Sequence, residues 1–125
     1  MTVTIYHNPA CSNSRGCLAI LKEVAARDGF ELRVVEYLKT PLPRAALERL
    51  AAALAADAGP AWPGLAAGMM REKEAVFAEL GLAGAGDAAL FAALAVHPIL
   101  LNRPIVETPK GARLCRPPER VRGLL

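Results

Sequence analysis

Tyr6-His7-Asn8-Pro9-Ala10-Cys11-Ser12-Asn13-Ser14-Arg15 is the stretch on which the reading of this chain turns. Ahead of it lies Val3-Thr4-Ile5-Tyr6, rich in β-branched and aromatic side chains as an interior strand would be. Behind it, Leu18, Leu21 and Ala25, with Ile20 and Val24 beside them, recur at helical spacing. Cys11 is therefore expected in the turn between a strand end and a helix start. The first turn of a helix leaves its N–H groups unpaired and carries the positive end of the macrodipole. A thiol held there is favoured as the thiolate, which is the nucleophilic form.

Neighbouring residues bear on the same sulfur. His7, if protonated, favours the anion, and Arg15 adds fixed positive charge. Ser14 carries a hydroxyl able to donate to the sulfur or to cap the helix. Pro9 ends the strand by removing a ladder donor. Each has a plainer role: Asn8 and Ser12 to Ser14 as turn and capping residues, His7 as filler at a strand end. Cysteine alone is commonly buried and inert. A cysteine at such a turn among Ser, His and Arg reads as reactive.

With 125 residues the chain is expected to form a single domain with a core of its own. Hydrophobic content of 54% with only 5% aromatics, alanine leading, points to close-packed helices. The net charge of +3 is mild, and no run of like charges makes a nucleic-acid-binding arm. Arg103, Lys110, Arg113, Arg116, Arg120 and Arg122 fall in the last quarter, an asymmetry that suits a small anionic ligand as well as nucleic acid. Three cysteines form no disulfide framework, Cys11 and Cys17 are not a C-x-x-C pair, and two distant histidines give no metal-ligand spacing. The longest apolar run, residues 88–96, is stopped by His97-Pro98 far short of a membrane span, and no leader precedes the first strand. The expectation is a cytoplasmic chain with reduced thiols, no metal, no membrane and no nucleic acid.

Gly29 is expected to stop the first helix, and residues 31–38 supply a second strand, completing a βαβ unit with parallel strands. Thr40-Pro41-Leu42-Pro43 breaks the pattern. Residues 44–56 carry a helical stripe of Leu47, Leu50 and Leu54, residues 57–64 form a loop, and helical signals resume over 65–80. Asp87 is a candidate N-cap for a helix running to about Val96. Ile105 to Thr108 and Ala112 to Cys115 read as a hairpin about Pro109-Lys110-Gly111, and Pro117-Pro118 opens a short last helix through Val121 and Leu124. The expected fold class is α/β, thioredoxin-like βαβ…ββα with an all-helical insertion between the halves. Residues 1–40 and 98–125 form the core of a single domain 1–125, and residues 41–97 form the insertion. The first turn and the final hairpin then meet at one site.

Arg103 precedes Pro104 and Arg116 precedes Pro117, so both backbones are restricted to extended conformations. A stiff backbone aims the side chain, and the guanidinium fork matches tetrahedral oxyanions without ever losing its charge. Arg71 is a third candidate, in a helical stretch with Glu72, Lys73 and Glu74 nearby. The plain alternative for all three is solvation or ion pairing. His97-Pro98 reads as a helix terminator. Cys17 should pack as a small apolar residue on a different face from Cys11, and Cys115 as a packed thiol near the site.

These residues resemble the glutathione- and glutaredoxin-linked arsenate reductases. The family's opening Y-H-N-P-x-C-x-x-S-R is matched from Tyr6 to Arg15, its H-P-I-L-x-N-R-P-I-V from His97 to Val106, and its G-x-R-L-C-R-P from Gly111 to Pro117. The resemblance implies Cys11 as nucleophile, His7 lowering its pKa with Ser14 assisting, and Arg71, Arg103 and Arg116 binding the oxyanion with Asn8 and Arg15 close by. It implies no bound cofactor, glutathione as co-substrate, glutaredoxin as partner and a monomer. Cys17 is not demanded by the family pattern. The competing reading is a regulator resembling Spx-type proteins, which share the fold and bind RNA polymerase; those commonly carry C-x-x-C, where this chain has Cys11-Ser12-Asn13-Ser14. A third is a relative acting on glutathione conjugates or general disulfides, which needs Cys11 but not the arginines.

Overall fold

The computed structural model describes Met1–Leu125 throughout. It divides into two compact units, one made of Met1–Thr40 and Arg103–Leu125, the other of Pro41–Asn102. In the first unit, β1 (Thr2–His7), α1 (Ser12–Asp28) and β2 (Glu31–Glu36) are joined by β3 (Ile105–Thr108), β4 (Gly111–Leu114) and a 3₁₀ stretch, Pro118–Leu124. The sheet order is β2-β1-β3-β4. β1 runs parallel to β2 and antiparallel to β3, and β4 closes the hairpin antiparallel to β3. The fold is α/β and thioredoxin-like, in the βαβ…ββα order read from the sequence.

β1 is internal, and Val3, Ile5, Tyr6 and His7 are all buried, so both of its faces are covered toward its end. β2 is an edge strand carrying Glu31, Arg33 and Glu36, charges that discourage a further strand from pairing. It stops at Glu36 and not Leu38, because the N–H groups of Lys39 and Thr40 both turn back onto the Glu36 carbonyl, at 3.0 and 2.9 Å. α1 buries Ser14, Cys17, Leu21 and Val24, a stripe at helical spacing. Gly29, at φ 79°, ends that helix and donates its N–H to Ala25. Cys17 and Leu21 meet Val3, Ile5, Val106, Cys115, Val121 and Leu124 in one apolar cluster. Each fully buried aliphatic side chain there contributes about 1.5–3 kcal/mol.

In the hairpin, Thr108 faces Gly111, which leaves Pro109-Lys110 as a two-residue loop and makes Gly111 the first residue of β4. Its φ of 140° is the reason a glycine stands there. The last helix is 3₁₀ where an ordinary helix was expected. Pro117 and Pro118 withhold two donors, and the Arg120 carbonyl, which an α-helix would pair with the Leu124 N–H, is taken by a hairpin side chain. Arg113 Nη1 donates to the Arg120 carbonyl at 3.0 Å, and Thr108 Oγ1 to the Leu124 carbonyl at 3.1 Å.

In the second unit, α2 (Arg44–Ala58) buries Leu47, Leu50, Ala51 and Leu54 and packs against α4 (Asp87–Val96), which buries Leu90, Phe91 and Leu94. α2 runs two residues past the expected end, taking Asp57 out of the loop, and stops at Gly59 with φ 63°. The helical expectation over residues 65–80 fails. That stretch holds only a 3₁₀ turn at Ala67–Met69 and the short α3 (Ala75–Glu79). Its backbone bonds go elsewhere: Met70 bridges Leu101, Arg71 N–H donates to Leu100 at 2.7 Å and Asn102 N–H to Met69 at 2.7 Å. Gly68 lies against the Trp62 indole, where a Cβ would come within 2.1 Å of the ring. Asp87 is not the N-cap. Gly86 holds that place, and the Asp87 carboxylate accepts the Ala66 N–H at 3.2 Å.

Candidate active site

β1 ends at His7 and α1 begins at Ser12, so Asn8 to Cys11 cross the end of an internal strand. Asn8 shapes the crossing: its Oδ1 accepts the Ala10 N–H at 3.0 Å and its carbonyl accepts the Cys11 N–H at 3.0 Å. Cys11 occupies the N-cap of α1, with extended backbone (φ −94°, ψ 124°), and its carbonyl accepts the Arg15 N–H at 3.0 Å. This is the position at which Ser, Thr, Asp or Asn normally offers an oxygen to the first-turn N–H groups. Here the atom offered is a sulfur.

Partial burial pushes the Cys11 thiol up, yet the balance falls below the ordinary thiol value. The Ser14 N–H, the Arg103 guanidinium as hydrogen-bond donor, the Asn13 N–H and the Arg103 charge together outweigh desolvation. Arg116, at the same end of the hairpin, has its Nη1 3.8 Å from Cys11 Sγ. The same nitrogen donates to the Arg103 carbonyl at 2.9 Å, so each arginine helps fix the other's place. Nε and Nη1 of Arg103 are shut off from solvent. Both Arg103-Pro104 and Arg116-Pro117 peptide bonds are cis. A half-exposed thiol favoured as thiolate, with two guanidinium groups beside it, is a nucleophile with an oxyanion cradle. No group of three His, Cys, Asp or Glu side chains is arranged to hold a metal ion, and no helix is long and apolar enough to cross a membrane.

Residues 6–124 match the ArsC family along their whole length. The chain belongs to the ArsC family. It is 48% identical to an arsenate reductase of Rhizobium meliloti, covering 100% of this chain and 82% of that one. It is 39% identical to an arsenate reductase of Escherichia coli, covering 98% and 80%. Among solved structures, an arsenate reductase from Vibrio cholerae superposes with a TM-score of 0.85 at 42% identity, covering 100% of this chain and 98% of its own.

Within this ArsC-family fold the remaining candidates take places the sequence did not give them. His7 is buried, and desolvation pulls its pKa below 6.5, assisted by Lys22 and Arg15 and opposed by Glu36. Burial therefore disfavours the imidazolium form, the one that would favour the Cys11 anion by its own charge. Its Nδ1 lies 2.6 Å from Ser14 Oγ, and that oxygen also accepts the Asn8 N–H at 3.0 Å. The Ser14 hydroxyl is thus spent on His7 and Asn8, while its backbone N–H serves the sulfur. Ser14 sits on the buried stripe of α1, where a polar group without partners would be costly. Arg15 Nη1 donates to the Pro9 carbonyl at 2.9 Å and braces the loop from its exposed side. Arg71 lies in the Pro41–Asn102 unit, half-buried, with Nε 3.1 Å from Glu74 Oε1. His97 ends α4, donating its N–H to Ala93.

Two arrangements had no signal in the sequence. Tyr6 Oη donates to Glu107 Oε1 at 3.0 Å, tying β1 to β3 beneath the site. Cys17 and Cys115, read as two separately packed thiols, share one buried cluster, and Cys115 is the largest influence on the Cys17 thiol. Neither could be read from spacing, because the partners stand about a hundred residues apart.

Proposed function

We propose that this chain reduces arsenate to arsenite, with Cys11 as the nucleophile. The observation that carries this reading is the Cys11 sulfur lying beside the guanidinium groups of Arg103 and Arg116, in a chain 48% identical to a protein named arsenate reductase. Arsenate docks against Arg103 and Arg116, with Asn8 and Arg15 at the loop. The Cys11 thiolate attacks arsenic, and a protonated arsenate oxygen leaves as water, giving a thiol–arsenate adduct. Glutathione then attacks the sulfur of that adduct. The sulfur–arsenic electron pair passes to arsenic, which becomes arsenite, and Cys11 is left in a mixed disulfide with glutathione. Glutaredoxin resolves that disulfide and returns the thiol. One protein thiol suffices because the other reducing thiols come from outside, which accounts for Ser14 where a C-x-x-C motif has its second cysteine. Such a cycle belongs in a reducing compartment. Phosphate has similar shape and charge and competes for the cradle, but a thiolate does not reduce phosphorus.

The experiment is arsenite release from arsenate with glutathione and glutaredoxin. Turnover is expected with the wild-type chain and with Cys17→Ala, and none with Cys11→Ser. Turnover by Cys11→Ser, or none by the wild type while its thiolate titrates normally for this site, overturns the assignment. Replacing glutaredoxin by thioredoxin distinguishes the coupling from the reduction itself.

A further inference from the structure

The chemistry at Cys11 leaves two thiols unused. Cys17 lies on the buried stripe of α1 and Cys115 directly after β4; neither is exposed to solvent. Both side chains lie inside the one buried cluster that holds Val3, Ile5, Leu21, Val106, Val121 and Leu124, and Cys115 is the largest influence on the Cys17 thiol. The Cys115 thiol also lies 3.5 Å from the Arg113 carbonyl and donates to it. Hydrogen bonding to Cys115 and desolvation both hold the proton on Cys17 well above the ordinary thiol value. At rest, the pair is protected.

What covers it is a 3₁₀ stretch. Val121 and Leu124 close over the cluster from the 3₁₀ stretch Pro118–Leu124. Seven residues is long for a 3₁₀ run, whose hydrogen bonds are poorly aligned. Much of its anchoring comes from hairpin side chains, Arg113 to Arg120 and Thr108 to Leu124. Segments held in this way open locally at lower free energy than the sheet beneath them.

We propose that Cys17 and Cys115 are a disulfide-forming pair, converted by a small hydroperoxide that enters when the Pro118–Leu124 stretch opens. Once opened to water, the Cys115 thiol gives up its proton; the thiolate attacks the peroxide oxygen, the O–O bond breaks, and the departing hydroxide takes up that proton as one water, leaving a sulfenic acid. Cys17 then attacks the Cys115 sulfur and expels the second water. Two thiols are oxidised by two electrons, and one hydrogen peroxide is reduced to two waters. The link joins the helix that begins at Cys11 to the residue preceding Arg116, and it encloses the whole Pro41–Asn102 unit. Closing so long a loop constrains the unfolded chain strongly.

The test uses the full chain as Cys11→Ser, which removes the exposed thiol, treated with hydrogen peroxide in native buffer and then denatured for thiol titration, mass measurement and peptide mapping. The expected result is joint loss of both thiols, a mass lower by two hydrogens, a Cys17–Cys115 cross-linked peptide, and reversal by dithiothreitol. The oxidised chain should also melt several degrees higher than the reduced one, a rise that Cys11→Ser with Cys17→Ala should lack. Survival of both thiols, added oxygen without a cross-link, a link between separate chains, or a link formed equally fast in guanidinium-unfolded protein would each overturn the proposal. None of these readouts depends on arsenate turnover.

Discussion

Replacing Arg103 with alanine removes a hydrogen bond and a positive charge from Cys11 but leaves the Arg103 carbonyl in place to hold Arg116. The change at the sulfur is therefore attributable to the guanidinium. A unit charge at about 4 Å interacts with a thiolate by about 1 kcal/mol at the dielectric of water and about 4 kcal/mol at an effective dielectric of 20. Cys11 is partly exposed, so screening pulls the value toward the lower figure. Loss of a charge-assisted hydrogen bond adds about 1.5–3 kcal/mol before screening. The Cys11 pKa should therefore rise, by the equivalent of about 1–3 kcal/mol of lost thiolate stabilisation. Thiolate ultraviolet absorbance followed against pH measures this directly, with Cys11→Ser as the blank. Arg116→Ala should move the same titration less, because its contact is long and its nitrogen is shared with the Arg103 carbonyl. An Arg103→Ala titration superimposable on wild type, or a wild-type thiol titrating like an unstructured cysteine, would refute the electrostatic account of the site.

Ser14→Ala should separate stability from thiol activation. It strands the buried His7 and Asn8 partners at a cost of about 1–3 kcal/mol in urea unfolding, while Cys11 keeps the backbone N–H of residue 14 and its titration stays close to wild type. Acidification acts through His7. Its folded pKa is depressed, so the stability it contributes is complete above about 6.5 and is lost as the pH falls through the lower folded value; His7→Gln should flatten that part of a urea-midpoint series. Cys11 has the same sign at higher pH, its folded pKa also being lowered, so the stability difference between wild type and Cys11→Ser should shift in favour of wild type as pH rises toward the ordinary thiol value. Gly68→Ala should lower the thermal midpoint by the equivalent of about 1–3 kcal/mol, because the new methyl overlaps the Trp62 ring. An unchanged midpoint would mean that the indole moves aside freely.

Helix and strand periodicity made β1, α1 and β3 of the thioredoxin-like half legible, since most of their buried residues are apolar at the expected spacing, while β4, which buries only Ala112, was legible from the turn before it. The Pro41–Asn102 unit was legible only where periodicity is strong, in α2 and α4. Over residues 65–80 the apolar spacing imitates a helix, but the bridge between Met70 and Leu101 and the packing of Gly68 on Trp62 take the backbone elsewhere. Local pattern carries no information about a partner thirty residues away.

At the site, sequence alone determined that Cys11 would stand at a helix N-terminus, because the strand before it, Pro9 and the helical stripe after it are all local signals. It also singled out Arg103 and Arg116, whose following prolines are visible in the chain. Tertiary structure decided what surrounds the sulfur. It buried His7 and so disfavoured its charged form, turned the Ser14 hydroxyl away to His7 and Asn8, and brought Cys17 and Cys115 into one cluster. The physical reason is that charge state and partnership depend on desolvation and on contacts between distant segments, and both exist only once the sheet has closed.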